Sequence, residues 1–471
     1  MKREQQFVKS SVILSIGTIV PKMTSIVTLP IITGCLTKAE YGTYDLITIL
    51  VSLILPIATL EMQAAAFRYL VNLRGELIEQ KRCITNITAF TVPVCIVVLA
   101  VFYFFLFNMS PSTRLLILLY FFIDIVLITV RQMARGLSLN MAYSFSAIIN
   151  SVIEMLLMAL LLFGLHRGLN GALVALILSQ TCSLVFISQK TNILSYMDWS
   201  LISWEKIKEM LSYSWPMIPN SLSSWIMRVS DRLILSLFMG VEANAIYAVA
   251  NKLPNLFNII QSTFTLAWQE SATLSVDDAD SGEYYGKMFD RIFNILVGGM
   301  AVLIAFTPII FRILIRGDYD EAYNHMPILY LALMFSTISS YVGGIYIAHM
   351  KSKEIGITTT LAAITNLLIN VLTVKFIGIY AASLSTLISY FWLAIYRMHD
   401  VQKIQKIKFN YKRIAILLIA LALISFACFL RITVVDVINM VVSIVLAFAL
   451  NREMIHLVIK MMCSRFKEKM K

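Results

Sequence analysis

Long apolar runs alternate with short polar segments along almost the whole chain. A helix needs roughly 20 apolar residues to cross the hydrocarbon core of a bilayer. Runs of about that length recur fourteen times. The predicted spans, numbered 1 to 14, are 10–33, 43–63, 84–107, 115–130, 141–163, 169–189, 215–239, 244–268, 292–311, 327–347, 355–374, 379–396, 414–430 and 434–450. The pattern predicts an all-α integral membrane protein with about 14 transmembrane helices.

The composition agrees with a chain that is solvated largely by lipid. Hydrophobic residues make up 59% and charged residues 14%, whereas soluble domains carry about 25% charged residues. The net charge of +12 is spread between the apolar runs, so we expect no nucleic-acid partner. Six scattered cysteines form no CxxC pair and no GxxxxGK[ST] motif is present. We therefore expect no metal, no bound cofactor and no ATP-driven enzyme.

Lysine and arginine fix the predicted orientation. With the N-terminus in the cytoplasm, basic residues in the inner segments outnumber those in the outer loops about four to one, as the positive-inside rule requires. Both termini are then cytoplasmic, and the protein is predicted to be a multi-pass membrane protein. Four tryptophans near the inner span ends are predicted to lie at the interface: Trp199, Trp204, Trp215 and Trp268.

The second half of the chain repeats the first. Spans 7–12 start 201 to 214 residues after spans 1–6, and "AEYGTYDLITIL" (39–50) matches "EANAIYAVANKL" (242–253). Each half has an even number of spans, so the repeat is parallel, an arrangement that transporters use to move two lobes around a central site. The predicted parts are a six-helix lobe (1–190), a cytoplasmic linker (191–214), a second six-helix lobe (215–400), and two extra helices with a basic tail (401–471).

Span 7 contains charges where each is costly. Its segment "SSWIMRVSDRLILSLFMG" carries two arginines and an aspartate, and a charge at the centre of a bilayer costs about 3 kcal/mol on insertion scales. Residues four apart share one helix face. The sequence therefore predicts one polar stripe, bordered by Asp231 and formed by Asn220, Ser224, Arg228 and Arg232.

Spans 8 and 1 add polar faces. Span 8 has Lys252 beside a stripe of Asn244, Asn251, Asn255, Asn258 and Ser262, and span 1 carries Lys22 with Ser15, Thr18 and Ser25. The cations of these spans outnumber Asp231, which favours an anionic guest. Two alternatives stay open: Asp231 forms a structural ion pair with Arg232 or a neighbouring arginine, and the amide stripes make interhelical hydrogen bonds, above all Asn366 and Asn370 of span 11.

Acidic residues in the first half divide into two groups. Asp124 of span 4 and Glu154 of span 5 are central in their spans and are predicted to couple transport to an ion, because burial makes a carboxylate able to take up a proton. Asn150 and Ser146 precede Glu154 by one and two turns. Asp45, Glu61 and Arg131 lie near span ends and are predicted to contact only the interface.

Three stretches resemble the bacterial polysaccharide flippases of the Wzx type. "LTKAEYGTYDL" (36–46) is similar to their amino-terminal signature, "SYSWPMIPNSLSSWIMRVSDRLIL" (212–235) to the start of their second half, and "IGIYAASLSTLISYFW" (377–392) to their twelfth span. Their superfamily also contains multidrug extrusion antiporters and lipid II flippases.

The resemblance implies a function. The implied substrate is a polyprenyl diphosphate carrying an oligosaccharide, which crosses to the outer leaflet of the bacterial inner membrane during synthesis of a surface polysaccharide such as O-antigen or capsule. Membrane lipid, a polymerase and glycosyltransferases are the implied partners, and we expect a monomer. The alternatives are a multidrug cation antiporter, which would favour an acidic interior, and a polymerase or ligase, which would have a large outer loop. The longest predicted outer loop has only 15 residues (312–326).

Overall fold

The computed structural model describes residues 2–73, 75–107 and 109–469. Within these ranges, some side chains are not described: those of residues 2–16, 220, 223, 224, 227, 228, 256, 258–260, 262–264, 266, 267, 270, 352 and 453–469. The described residues form helices joined by short turns, and they contain no strand.

The chain forms two compact units, and the first contains the residues up to Ala245 together with Leu314–Gly317. Its helices are α1 (Lys2–Cys35), α2 (Lys38–Thr59), α3 (Met62–Asn72), α4 (Leu77–Phe105), α5 (Pro111–Gly136), α6 (Asn140–Met158, extended by a π-helical turn at Ala159–Gly164), α7 (Gly168–Thr191), α8 (Trp204–Ser214) and α9 (Ile218–Met239). Helix α9, which follows the linker, therefore groups with the first six predicted spans.

The second unit contains Ile246–Ile313 and the residues from Asp318 onward. Its helices are α10 (Val241–Leu274, whose first turn lies in the first unit), α11 (Ser281–Leu314), α12 (Asp320–Ala348), α13 (Ser352–Ile377), α14 (Tyr380–Asp400), α15 (Tyr411–Phe429) and α16 (Thr433–Lys469).

Eleven described helices are long and apolar enough to cross a membrane. They coincide with predicted spans 1–6, 9–11, 13 and 14. The other three predicted spans coincide with α9, α10 and α14, which have 22, 34 and 21 residues. The predicted class, an all-α multi-pass membrane protein, is confirmed. The count of fourteen spans stays a prediction.

Side-chain caps set several helix starts. Thr37 caps α2 in a capping box with Glu40: the Thr37 hydroxyl accepts from the Glu40 N–H, and the Glu40 carboxylate accepts from the Thr37 N–H at 3.0 Å. Such reciprocal bonds satisfy two helix N–H groups that have no partner within the helix. In the linker, Asp198 accepts hydrogen bonds from the hydroxyl and the backbone N–H of Ser200, and these bonds lower the pKa of the Asp198 carboxyl.

Trp268 is not an interfacial residue. It is 2% exposed, its ring stacks on Tyr341 with 4.3 Å between ring centroids, and its Nε1 donates to the Tyr341 carbonyl at 2.7 Å. A buried indole N–H needs such an acceptor. The interfacial prediction for Trp268 is wrong, because sequence position cannot distinguish an aromatic core residue from a belt residue.

Candidate functional site

A buried ion pair joins α2 to α9. Nη1 of Arg232 donates to both carboxylate oxygens of Asp45, at 2.9 and 3.1 Å. Asp45 is 3% exposed, so the prediction that it only contacts the interface is wrong. The sequence suggests Asp231 as a partner of Arg232. Asp231 is buried in α9, but the ion pair of Arg232 is with Asp45. A charge buried in lipid needs such a partner.

An asparagine and a glycine complete this contact. Asn244 is fully buried, and its Nδ2 donates to the Gly42 carbonyl at 3.1 Å and to Asp45 Oδ2 at 3.3 Å. A Cβ on Gly42 would lie 1.8 Å from the carbonyl oxygen of Val241. Only glycine permits this approach of α2 to the first turn of α10. Trp225 adds a hydrogen bond from its Nε1 to the Ile49 carbonyl at 3.3 Å.

The remaining predicted residues of span 7 are only partly described. The side chains of Asn220, Ser224 and Arg228 lie outside the described residues. Asp231 is 8% exposed and takes part in an interaction. Arg232 is thus the stripe residue whose surroundings the structure defines, and only its Nη1 makes the bonds to Asp45. Within the described residues, its Nε and Nη2 make no hydrogen bond.

A second polar cluster lies in the interior of the same unit. Nε2 of Gln180 in α7 donates to Asp124 in α5 at 2.5 Å. Glu154 of α6 lies within electrostatic range of the Tyr44 and Tyr120 hydroxyls, and Asp124 lies within that range of Tyr120. Both predicted coupling carboxylates thus interact electrostatically with Tyr120, and Asp124 does so with Arg131 as well.

Two amide oxygens in this region have no hydrogen-bond partner among the described residues. They are Oε1 of Gln180, a residue that is 4% exposed, and Oδ1 of Asn150, one turn before Glu154 on α6. Buried polar atoms are normally paired. Carboxylate and amide oxygens are ligands for hard cations, and a protonated carboxyl can donate to such oxygens. The cluster has the chemistry to take up a cation or a proton.

Arg131 and Glu61 also differ from their predicted interfacial positions. Nε of Arg131 donates to Ser146 Oγ at 3.0 Å and its Nη2 donates to Ser183 Oγ at 3.0 Å, so it joins α5, α6 and α7. Glu61 is 7% exposed and accepts from Gln63 Nε2 at 2.8 Å. Both interfacial predictions are wrong, because these side chains point into the helix packing and not toward solvent.

The second unit has a comparable arginine that the sequence analysis missed. Arg397 of α14 is 4% exposed, and it donates to the Ser339 carbonyl at 3.0 Å and to the hydroxyls of Thr358 and Thr359 at 2.8 Å. It thereby joins α12, α13 and α14. In the sequence, Arg397 is a basic residue in the last turn of an apolar helix. Exposed basic residues commonly occupy that position, so the sequence does not predict its burial.

Other predicted residues have separate surroundings. Lys22 is exposed on α1 and Asn255 on α10. Asn251 donates to the Tyr247 carbonyl one turn earlier, at 3.0 Å, and Lys252 is half-buried and takes part in an interaction. In span 11, Asn366 donates to Thr386 Oγ1 of α14 at 3.2 Å, which confirms an interhelical hydrogen bond there.

The described residues thus form an all-α multi-pass membrane fold with buried ionic and polar sites. The family model described as polysaccharide biosynthesis protein matches residues 7–269, which is more than half of the chain. The protein belongs to this family. An uncharacterized membrane protein of Methanocaldococcus jannaschii is 23% identical over 316 residues, or 64% of this chain. The match spans 62% of the length of that relative.

Solved structures of transporters share the fold. A lipid II flippase MurJ in an inward closed conformation aligns with a TM-score of 0.70 at 12% identity, covering 95% of this chain and 100% of that chain. A multidrug resistance MATE family transporter of the MOP superfamily, in an inward-facing conformation, aligns with a TM-score of 0.62 at 13% identity, covering 84% and 98%. These likenesses identify the fold.

Proposed function

We propose that the protein is a flippase that carries a polyprenyl-diphosphate-linked oligosaccharide from the cytoplasmic to the outer leaflet of the cell membrane. Membership in a polysaccharide biosynthesis family supports this function, as does the flippase fold. Polymerase and glycosyltransferases of the same polysaccharide are the proposed partners, and the proposed orientation has both termini in the cytoplasm.

The observation that carries the proposal is the guanidinium of Arg232. A planar guanidinium binds phosphate oxygens through two parallel hydrogen bonds. Asp45 neutralises Arg232 through Nη1 alone. A phosphate could therefore accept two parallel hydrogen bonds from Nε and Nη2. Asp45 thus balances the charge of the buried Arg232 when no anionic head group is bound.

The substrate would bind Arg232 beside Asp45, which stays on Nη1. A diphosphate carries more charge than one carboxylate, so Arg232 can attract it although Asp45 is already bound. Asn244 hydrogen-bonds to Asp45 and can hold the carboxylate in place when Arg232 binds the substrate. The prenyl tail stays in lipid, and the hydroxyl-rich sugars suit amides such as Asn251 and Asn255.

The proposed coupling site is the cluster around Asp124 and Glu154. Their carboxylates, with the unpartnered oxygens of Gln180 and Asn150, provide oxygen ligands for one monovalent cation or an acceptor for one proton. Binding of the ion to this cluster would favour one conformation of the helices that carry it, since a ligand shifts the equilibrium toward the conformation that it binds more tightly.

The test is transport by the purified protein in vesicles. Fluorescent polyprenyl diphosphate carrying an oligosaccharide is placed in the vesicle membrane, and a membrane-impermeant quencher reports the exposed leaflet. We expect the protein to accelerate equilibration between leaflets, and the Arg232→Ala variant not to. Export of an organic cation such as ethidium, without movement of the labelled lipid, would instead identify a cation antiporter. Such an antiporter is the alternative that the two carboxylates of the first unit favour.

A further inference from the structure

The segment that follows α7 is fixed to the inner end of α4. Nδ2 of Asn86 donates to the Leu201 carbonyl at 2.9 Å, and its Oδ1 accepts from the Ser203 N–H at 2.7 Å. The Asp198 N–H donates to Thr85 Oγ1 at 2.9 Å. Asn86 and Thr85 are buried, so these backbone contacts hold the segment in one position on the first unit.

Helix α8 continues from this segment and is packed on one side. Ser203 caps it by accepting from the Lys206 N–H. Its Ile207 and Met210 are buried in a core formed by α3, α4 and α5, whose other members include Met62, Ala66, Leu70, Ile84 and Met133. A helix with one face buried in this way has a fixed orientation about its own axis.

The other faces of α8 differ in chemistry. Residues four apart in a helix lie on one face. Next to the buried face runs an aromatic edge of Trp204, Leu211 and Trp215. The exposed Lys208 borders that edge, and beyond it runs an acidic sector of Glu205, Glu209 and Ser212, in which Glu209 pairs with Lys206 at 2.9 Å. Trp204 and Trp215 are 67% and 62% exposed. The acidic sector is exposed as well.

The fixed segment before α8 also carries exposed apolar side chains. Leu194, Trp199 and Ile202 are exposed there, Trp199 by 61%. Large contiguous exposed apolar side chains mark a surface that contacts a partner. Here three of the exposed side chains are tryptophans, which prefer the membrane–water interface because one end of the ring is apolar and the other can donate a hydrogen bond.

The connectivity brings a bilayer to this surface. Helix α7, which is apolar enough to cross a membrane, ends at Thr191, and α9, which coincides with predicted span 7, begins at Ile218, so the linker joins one such helix to a predicted span. The linker therefore lies beside the membrane surface. A helix with an apolar edge beside a charged face is amphipathic, as helices that lie in the interfacial plane are, and Lys206 and Lys208 give α8 the basic residues that such helices carry.

We propose that the aromatic edge of α8, with Trp199 before it, docks into the headgroup region of the cytoplasmic leaflet, while the acidic sector faces the cytoplasm. Because Asn86 and the α8 core fix the linker on the first unit, this docking sets the depth of that unit's inner end in the bilayer. The partner is a lipid surface, and the inference does not depend on the identity of the substrate.

Spin-label accessibility tests the three faces of α8. Single cysteines at 204, 205 and 210, in a variant without the native cysteines, carry a nitroxide in phosphatidylcholine vesicles. We expect oxygen, which concentrates in lipid, to relax the label at 204, and a water-soluble nickel chelate to relax the label at 205. The buried position 210 should be reached by neither. Equal access of the chelate to 204 and 205 would overturn the proposal.

A second measurement uses the native cysteines and so does not require that background to fold. Vesicles contain phosphatidylcholine brominated on the acyl chain near the headgroup, which quenches tryptophans at that depth. We expect replacement of Trp199, Trp204 and Trp215 by phenylalanine to remove most of the quenchable emission. The control Trp268→Phe, at a buried position, should remove little. Quenching by aqueous iodide in place of the brominated lipid would show that the edge faces water or a soluble protein, contrary to the proposal.

Discussion

One nitrogen of Arg232, Nη1, donates to both carboxylate oxygens of Asp45, a residue 187 positions earlier in the chain. The pair is buried, with side chains 11% and 4% exposed. Breaking one partner of a buried pair costs about 3–5 kcal/mol, because the other charge stays behind uncompensated. A single substitution here thus changes both stability and charge, and a test of function must separate the two effects.

The double variant Asp45→Asn, Arg232→Gln separates them. It removes both charges together and keeps polar side chains at both positions, so no buried charge is left without a partner, and we expect expression and thermal stability closer to the parent than in Arg232→Ala alone. If Arg232 binds the diphosphate, the double variant should fold and fail to transport. Lipid flipping in vesicles and the unfolding temperature in detergent are the two measurements. Full transport by the double variant would assign the pair a structural role only.

The variant Arg232→Lys tests the geometry of the guanidinium. Lysine keeps the charge that Asp45 needs but loses the planar pair of donors. We expect near-parental stability with transport reduced several-fold. Equal transport rates in Arg232→Lys and the parent protein would show that charge alone is sufficient.

Gly42→Ala tests the close approach of α2 to the first turn of α10. A Cβ at 42 would meet the Val241 carbonyl oxygen at 1.8 Å, so the backbones must separate, and overpacking of this kind costs about 1–3 kcal/mol. Gly299→Ala is the matched control, because a Cβ there has no described neighbour within 4 Å. The unfolding temperature should fall only in the first variant. Similar unfolding temperatures would mean that α2 can move without loss.

The fold was predictable because its signal is local. The length of each apolar run predicts a helix whatever its neighbours are, so the six helices of the first half were placed correctly. Helices α3 and α8 were missed, since 11 residues with mixed polarity are too short to be read as spans. Their positions are set by packing against each other and against α4 and α5.

The site was only half predictable, because pairing is a tertiary property. A charge in the middle of span 7 predicts a buried arginine, but nothing near Asp45 indicates a partner 187 residues away. Asp45 was placed at the interface because it lies near a helix end. Gln180 had a usable signal that was overlooked: an amide in the centre of an apolar helix needs a polar partner, and its partner is Asp124.

Asn86→Ala is expected to release the linker. The substitution leaves the Leu201 carbonyl and the Ser203 N–H without their partner, and losing one partner of a buried hydrogen bond costs about 1–3 kcal/mol. Hydrogen exchange of residues 193–203 should become faster, and protease cleavage there should increase. Thr88→Ala is the control, since its hydroxyl bonds only to the Ile84 carbonyl of its own helix. Unchanged exchange in Asn86→Ala would show that the apolar core alone holds the linker.

The last prediction concerns coupling through Glu154. The substitution Glu154→Gln keeps the size and a hydrogen-bonding oxygen but removes the negative charge, so the cluster can no longer exchange a proton or neutralise a cation there. If transport is proton-coupled, vesicles that contain the parent protein should acidify or alkalinise when labelled substrate is supplied, and Glu154→Gln should lose that proton movement while still binding the substrate. Asp124→Asn should have a similar effect, because Asp124 shares the surroundings of Tyr120.

Glu79→Gln is the matched control for this experiment. Glu79 is a carboxylate near the start of α4 that pairs with Arg82 at 2.8 Å and stays partly exposed, so its loss should leave proton movement unchanged. Parental proton flux in Glu154→Gln would remove this residue from coupling. If the parent protein moves substrate without any proton flux, transport by the parent and by the same two variants should be measured with a sodium gradient. Loss of sodium dependence in Glu154→Gln is then the expected result.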